Sequence, residues 1–289
     1  MSAEMTSGAP AGRTRLSGRW PLLTGALIAA LGLTFGGITT ASAHGNSGHI
    51  AHPAHPAPPS STVAPTRGDS IPNVTLVENK IKAYYGDTVV GTDHVPSTTG
   101  NYAKEVHGIE AKARSYLAHA RVKPAEGKKS VVFDIDDTTL NTYNYEIFSG
   151  FSYNPMTNAD YVNNARFPEV YGMPALVNWA SSKGYTVFFL TGRPETQRAG
   201  TVTNLSKVGY QVPLDTAHLY LKYTAGNQPS YIRCAAATCT TTEYKSQTRK
   251  HIESLGYDLV ANFGDQFSDL RGGYGDKTFK IPNPMYYLP

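Results

Sequence analysis

Apolar positions along the chain change rhythm several times. From Val74, the residues Leu76, Val77, Ile81 and Tyr84 recur at helical spacing, and Gly86 is placed to stop that helix. A second helical stretch runs from Tyr102 to Ala120, with Val106, Ile109, Ala113 and Leu117 on its apolar face and Glu105 and Lys112 on its polar side. Ser130 to Phe133 then forms a short β-branched and aromatic run, the pattern of a buried strand. From there the chain alternates. Helices are predicted over Pro174 to Ser182, Glu195 to Val208, and from Thr240 to about Leu255, the last opened by the capping pair Thr240 and Glu243. Strands are predicted over Thr186 to Leu190, His218 to Leu221, Leu259 to Phe263 and Thr278 to Ile281. This alternation implies an α/β domain with a mainly parallel sheet and helices on both faces. Ligands of such sheets bind beyond the carboxyl ends of the strands.

The first residues follow another pattern. Arg13, Arg15 and Arg19 precede an apolar run from Pro21 to Ile38, and Ala41-Ser42-Ala43 follows. A basic region, an apolar region and a small-residue site in that order read as a secretory signal over residues 1–43, cleaved after Ala43. The apolar run contains four glycines and is short for a bilayer span, so a retained anchor fits less well. Residues 44–72 are rich in His, Pro, Ala and Ser, a composition that cannot bury a core. They are expected to form a disordered linker, its histidines solvated rather than held around a metal. Ordered structure is expected over residues 73–289.

Composition narrows the function. The chain has 289 residues, of which 17% are charged and 40% hydrophobic, and a net charge of +4. Two of those charges belong to the N-terminal arginine surplus. The remainder is too small, and too free of basic runs, to suggest a nucleic-acid partner. No second apolar segment is long enough to span a bilayer, so no membrane partner is expected after signal cleavage. No oligomeric state follows from the sequence. Cys234 and Cys239 are the two cysteines of the chain. Outside the cytoplasm they are expected to pair as a disulfide, since a lone pair supplies half a zinc shell.

The strand ends carry the candidate chemistry. Asp134-Ile135-Asp136-Asp137-Thr138 follows the first strand directly. In extended chain Asp134 and Asp136 share a side, and like charges that close call for a cation or a proton. Thr191-Gly192-Arg193-Pro194 follows the second strand and offers a hydroxyl, close backbone approach and a guanidinium, a set suited to phosphate. Lys245 lies in the first turns of the capped helix. Gly264-Asp265-Gln266-Phe267-Ser268-Asp269 follows the fourth strand, which lets Asp265 reach the same point as Asp134. Each element alone is commonly a cap, a turn or a solvated charge; together and in order they form a pattern. An EF-hand calcium loop is excluded, because its sixth and twelfth positions from Asp134 are Thr139 and Tyr145 instead of Gly and Glu.

These four segments resemble the haloacid-dehalogenase-like (HAD) superfamily, and within it the secreted class B/subfamily IIIB acid phosphatases and plant vegetative-storage-protein relatives. The carrying residues are Val131 to Thr138, Phe188 to Arg193, Lys245-Ser246 and Asn262 to Leu270, and the resemblance spans roughly Pro72 to Pro289. It implies a Rossmann-like sheet with a small cap inserted after the first strand, within about 141–171. It implies Asp134 as nucleophile on phosphorus and Asp136 as general acid and base. Mg²⁺ would be held by Asp134, Asp265 and the Asp136 backbone carbonyl. Thr191, Gly192, Arg193 and Lys245 would bind phosphate, with Asp269 orienting Lys245 or a metal-bound water. The expected substrate is a small phosphomonoester, and the expected optimum is acidic. Aromatics of the cap stretch, including Tyr143, Tyr145, Phe148, Phe151 and Tyr153, either stack on substrate or pack as the cap's core, the latter favoured. Two other functions suit the same residues: a catalytically idle storage or binding protein, and a phosphotransferase.

Overall fold

The chain is described by a computed structural model over residues 66–121, 127–224 and 226–288. The expected signal segment lies outside these residues, as does most of the expected linker. Within residues 66–72 a single 3-10 turn forms at Gly68–Ser70.

Helix α1 (Val74–Tyr85) begins where the Asn73 side chain accepts from the Leu76 amide and ends at Gly86, which takes a left-handed conformation. A hairpin of β1 (Thr88–Val90) and β2 (Asp93–Val95) follows, then α2 (Asn101–His119). The sheet begins with β3 (Lys128–Phe133). Two short helices come next, α3 (Tyr143–Ser149) and α4 (Pro155–Asn163), then α5 (Met173–Ser182) and β4 (Thr186–Pro194). The remaining elements are α6 (Arg198–Lys207), β5 (Leu219–Lys222), α7 (Thr241–Ser254), β6 (Tyr257–Gly264), α8 (Phe267–Leu270) and β7 (Lys277–Lys280).

The five strands β3 to β7 are all parallel and run β5-β4-β3-β6-β7 across the sheet. The order grows outward from β3 in both directions, so winding reverses between β3 and β6. Their adjacent carboxyl ends open a crevice at that switch point. Alternation along the strands supplies both cores. Val131, Phe133 and Phe189 face the cluster shared with α1, α2 and α5. Val132, Phe188 and Leu190 face a second cluster with Tyr244 and Ile252 of α7. Burial on both faces explains why these strands read as continuous apolar runs.

Two boundaries differ from the pattern reading. Strand β4 continues through Thr191-Gly192-Arg193-Pro194, with an irregularity in its pairing to β5 between Leu190 and Pro194. The helix expected from Glu195 opens as a 3-10 turn (Glu195–Gln197) and becomes α-helical at Arg198. Arg193 therefore sits at a strand end, with the helix beginning several residues later.

Candidate active site

Asp134 is the first residue beyond β3, its amide bonded to the Phe263 carbonyl of β6 at 3.0 Å. The chain then turns tightly, with the amides of Thr139 and Leu140 converging on the Ile135 carbonyl at 2.9 and 2.8 Å. Asp137 takes a left-handed φ of 51° in this turn. Its carboxylate is buried and is not part of the lining of the site's cavity. It accepts from the Thr142 amide at 3.0 Å, the Thr142 hydroxyl at 2.5 Å and the Tyr286 hydroxyl at 2.8 Å. Burial raises the Asp137 carboxyl to about 7, and the Thr142 and Tyr286 hydrogen bonds work against that rise.

The carboxyl ends of β3 and β6 bring Asp134, Asp265 and Asp269 together, their ligand oxygens within 4.8 Å of one another and all three side chains buried. The Lys245 ammonium, buried on α7, donates to Asp134 Oδ1 and to Asp269 Oδ1, each at 2.5 Å. Asp269 Oδ2 accepts the Gln266 amide at 2.8 Å. Gly264 makes room for this approach, since a methyl group there would stand 2.4 Å from the Asp269 Cβ. Asp265 Oδ2 accepts from Gln266 Nε2 at 2.6 Å and from Asn283 Nδ2 at 2.7 Å. Three carboxylates against one ammonium leave two negative charges when all are ionised, the complement of a divalent cation. Burial raises Asp134 well above the usual carboxylate range, opposed by Lys245 and reinforced by Asp269 and Asp265. Burial and the Asp269 charge raise Asp265 in the same way. Burial disfavours the Lys245 ammonium, yet Asp134 and Asp269 outweigh it and hold the group charged. The donor set is hard, anionic and oxygen-only, which suits Mg²⁺ or a similar ion.

Asp136 points elsewhere. Its carboxylate is gripped by Arg193, through Nε at 3.2 and 3.0 Å and Nη2 at 2.6 Å, while Nη1 donates to Thr201 Oγ1 at 3.0 Å. The Arg193 side chain is buried. The guanidinium that the sequence reading set aside for phosphate is thus committed to Asp136. Thr191 Oγ1 accepts the Arg193 amide at 3.1 Å, and its own proton has no acceptor among the described residues.

One cavity of about 430 Å³ joins these groups. Asp134, Asp136, Thr191, Gly192, Arg193, Lys245, Asp265 and Asp269 all line it, so the residues expected to bind phosphate or metal or to react share one space. A second part of its wall comes from α3, α4 and the segment between them: Glu146, Phe151, Tyr153 and Asn158. Tyr143 and Tyr145 pack as core, whereas Phe148 and Tyr153 are exposed. The C-terminal segment adds Tyr286, Tyr287 and Leu288. It is tied down by Asn283 on Asp265, Tyr286 on Asp137 and the Leu288 amide on Gln266 Oε1 at 2.9 Å. Sequence reasoning missed Asn283, Tyr286 and Glu146. Asn283 lies just beyond the last strand, so the strand-end rule itself points to it. Cys234 and Cys239 are disulfide-bonded in the loop before α7. No described helix is long and apolar enough to cross a membrane.

Fold and site together define a doubly wound α/β protein with a carboxylate-centred site at its switch point. Residues 61–289 match the model of the HAD superfamily, subfamily IIIB (acid phosphatase), and the chain belongs to that family. Its enzymatic class is therefore that of a phosphomonoesterase. It is 30% identical over 196 residues to acid phosphatase 1 of Solanum lycopersicum, covering 65% of this chain and 69% of that one. It is 26% identical over 224 residues to vegetative storage protein 1 of Arabidopsis thaliana, covering 76% and 75%. Among solved structures, the class C acid phosphatase from Bacillus anthracis superposes with a TM-score of 0.55 at 22% identity, covering 73% and 86%. That likeness shows the fold alone.

Proposed function

We propose that this protein is a secreted, magnesium-dependent acid phosphatase that cleaves small phosphomonoesters through a phosphorylated Asp134. One observation carries the reading. Asp134 has one carboxylate oxygen on Lys245, while the other has no hydrogen-bond partner among the described residues and lies in the cavity. An anchored, partly neutralised carboxylate with one free oxygen is a workable nucleophile.

The free oxygen attacks phosphorus as the bond to the leaving oxygen breaks. Asp136, held by Arg193, gives that leaving oxygen its proton. Water then attacks the aspartyl phosphate, Asp136 takes the water's proton, and inorganic phosphate and free Asp134 are restored. We assign Arg193 to positioning Asp136. Thr191 has its hydroxyl proton to donate to a phosphoryl oxygen. Lys245 spends two of its three N–H donors on Asp134 and Asp269, which leaves the third for phosphate. Asp269 positions Lys245. Asp134, Asp265 and the Asp136 backbone carbonyl would hold magnesium, which supplies charge neutralisation for the phosphoryl group. We read α3 and α4 as the cap. Secretion is supported by the N-terminal pattern ending at Ala43 and by the disulfide. An idle storage role is disfavoured by the intact Asp134 and its partners.

The test is hydrolysis of an aryl phosphate by protein stripped of divalent ions, then refilled with Mg²⁺, followed by acid quench and peptide mapping. Turnover should vanish on stripping and return with Mg²⁺, with phosphate trapped on Asp134. Full turnover without any divalent ion, or phosphate trapped on another residue, would overturn the reading.

A further inference from the structure

Glu146 on α3 is 7% exposed, and the exposure it keeps belongs to the cavity that it lines. Its carboxylate forms no hydrogen bond and no ion pair with any described residue. The cationic groups of the cavity's catalytic half, and the nearby Thr142 hydroxyl, are engaged elsewhere. Arg193 is spent on Asp136 and Thr201, Lys245 on Asp134 and Asp269, and the Thr142 hydroxyl on Asp137. Lys222, the remaining basic lining residue, makes no bond to it. A carboxylate removed from bulk solvent, with only the cavity left to supply a donor, is costly to ionise. The cost shows in the acid itself: burial, with the Asp136 charge second, raises it to about 7. Glu146 lines the same cavity as Asp134 and Asp136 but projects from helix α3, outside the acid cluster. Phe151 and Tyr153 beside it are ring surfaces that supply no charge.

We infer that Glu146 is a specificity-determining residue that accepts a hydrogen bond from the substrate's leaving group, so that the enzyme selects phosphomonoesters carrying a hydroxyl or ammonium near the ester. The inference rests on the phosphatase reading and deepens it. The satisfied state of Glu146 is then the substrate complex. An ester without a donor leaves the carboxylate buried and unpaired, and discrimination of that kind is steep.

The test uses alkyl phosphates of equal length, two to four carbons, that end in methyl, hydroxyl or ammonium. For wild type, kcat/KM should favour the donor-bearing esters over the methyl ester by roughly tenfold to a hundredfold, the range of a hydrogen bond to a charged group. Glu146→Gln keeps the shape and an acceptor oxygen and should retain preference for hydroxyl while losing it for ammonium. Glu146→Leu should lose both, with the change falling mainly in KM. Ammonium preference alone in wild type identifies a cationic leaving group; preference for both identifies the shared donor chemistry. Equal kcat/KM for the three esters in wild type, or a preference that survives Glu146→Leu, overturns the inference while leaving the phosphatase intact. Absence of turnover on all three, with the Mg²⁺-loaded wild type also inert on aryl phosphate, overturns the parent reading and this one with it.

Discussion

The two walls of the cavity are built on opposite principles. On the strand-end wall the charged groups around the ends of β3, β4 and β6 are engaged: Lys245 bridges Asp134 and Asp269, Arg193 grips Asp136, and Asn283 and Gln266 hold Asp265. On the wall from α3 and α4, the Glu146 carboxylate has no partner among the described residues and Tyr153 is 71% exposed. The difference follows from what each wall must do. Phosphoryl transfer needs atoms fixed in place before substrate arrives, and buried charge-assisted hydrogen bonds fix them. Recognition of a leaving group needs groups left free to bind it. The strand-end wall is accordingly where substitution should remove reaction and stability together, and the helical wall is where it should alter choice.

The sharpest break is at Asp134. Asp134→Asn removes the nucleophile but keeps the shape and an acceptor for Lys245, so the fold should persist while kcat on aryl phosphate falls at least about a thousandfold. Steady-state rates beside a thermal melt decide it. A folded variant with more than a tenth of wild-type kcat would detach the reaction from this wall.

Lys245→Met should cost both properties. It leaves Asp134 and Asp269 buried without their cation, a loss of about 3–5 kcal/mol for breaking one partner of a buried pair. Urea titration of the metal-free protein measures it. Added Mg²⁺ should recover part of that stability by neutralising the same carboxylates, and an unchanged midpoint in urea would show that the ammonium is not holding the cluster.

Much of the strand-end wall was legible in the sequence. Strands β3, β4 and β6 are buried on both faces, so their apolar runs and the acids ending them stand out without any knowledge of contacts. The rest was hidden for identifiable reasons. The β1–β2 hairpin has no residue in the buried core, so no alternation marks it. Helix α4, reading PMTNADYVN, buries Val162 alone and carries almost no apolar stripe. Asp137 stands in the sequence as a third carboxylate of the same run, and its turn toward Tyr286 depends on a partner 149 positions away. Glu146 sits among aromatics whose pattern is that of packing. That no described residue bonds its carboxylate is a fact of three dimensions.

On the helical wall, pH sharpens the comparison. Burial raises the Glu146 acid to about 7 from an ordinary 4.5. The folded protein therefore binds this proton more tightly than the unfolded chain does. Its contribution to stability is complete below about pH 4.5 and is lost as pH rises through about 7. Metal-free wild type should lose stability over that window, and Glu146→Gln, which cannot ionise, should lose less of it by about 1–3 kcal/mol. Parallel slopes for the two proteins would mean that the carboxylate finds a donor in solution.

The smallest effect belongs to Tyr153. The side chain is mostly in solvent and lines the cavity with its remaining surface. Tyr153→Ala removes little buried area, so stability should stay within about 0.5 kcal/mol of wild type. A ring that packs on an aryl leaving group contributes modestly to binding. KM for an aryl phosphate should rise about threefold while that for a short alkyl phosphate stays put. An equal loss on both esters would mean that Tyr153 acts on the phosphate end, and the division of labour between the two walls would then fail at its weakest point. A loss confined to the aryl ester keeps leaving-group choice on the helices and bond breaking at the strand ends.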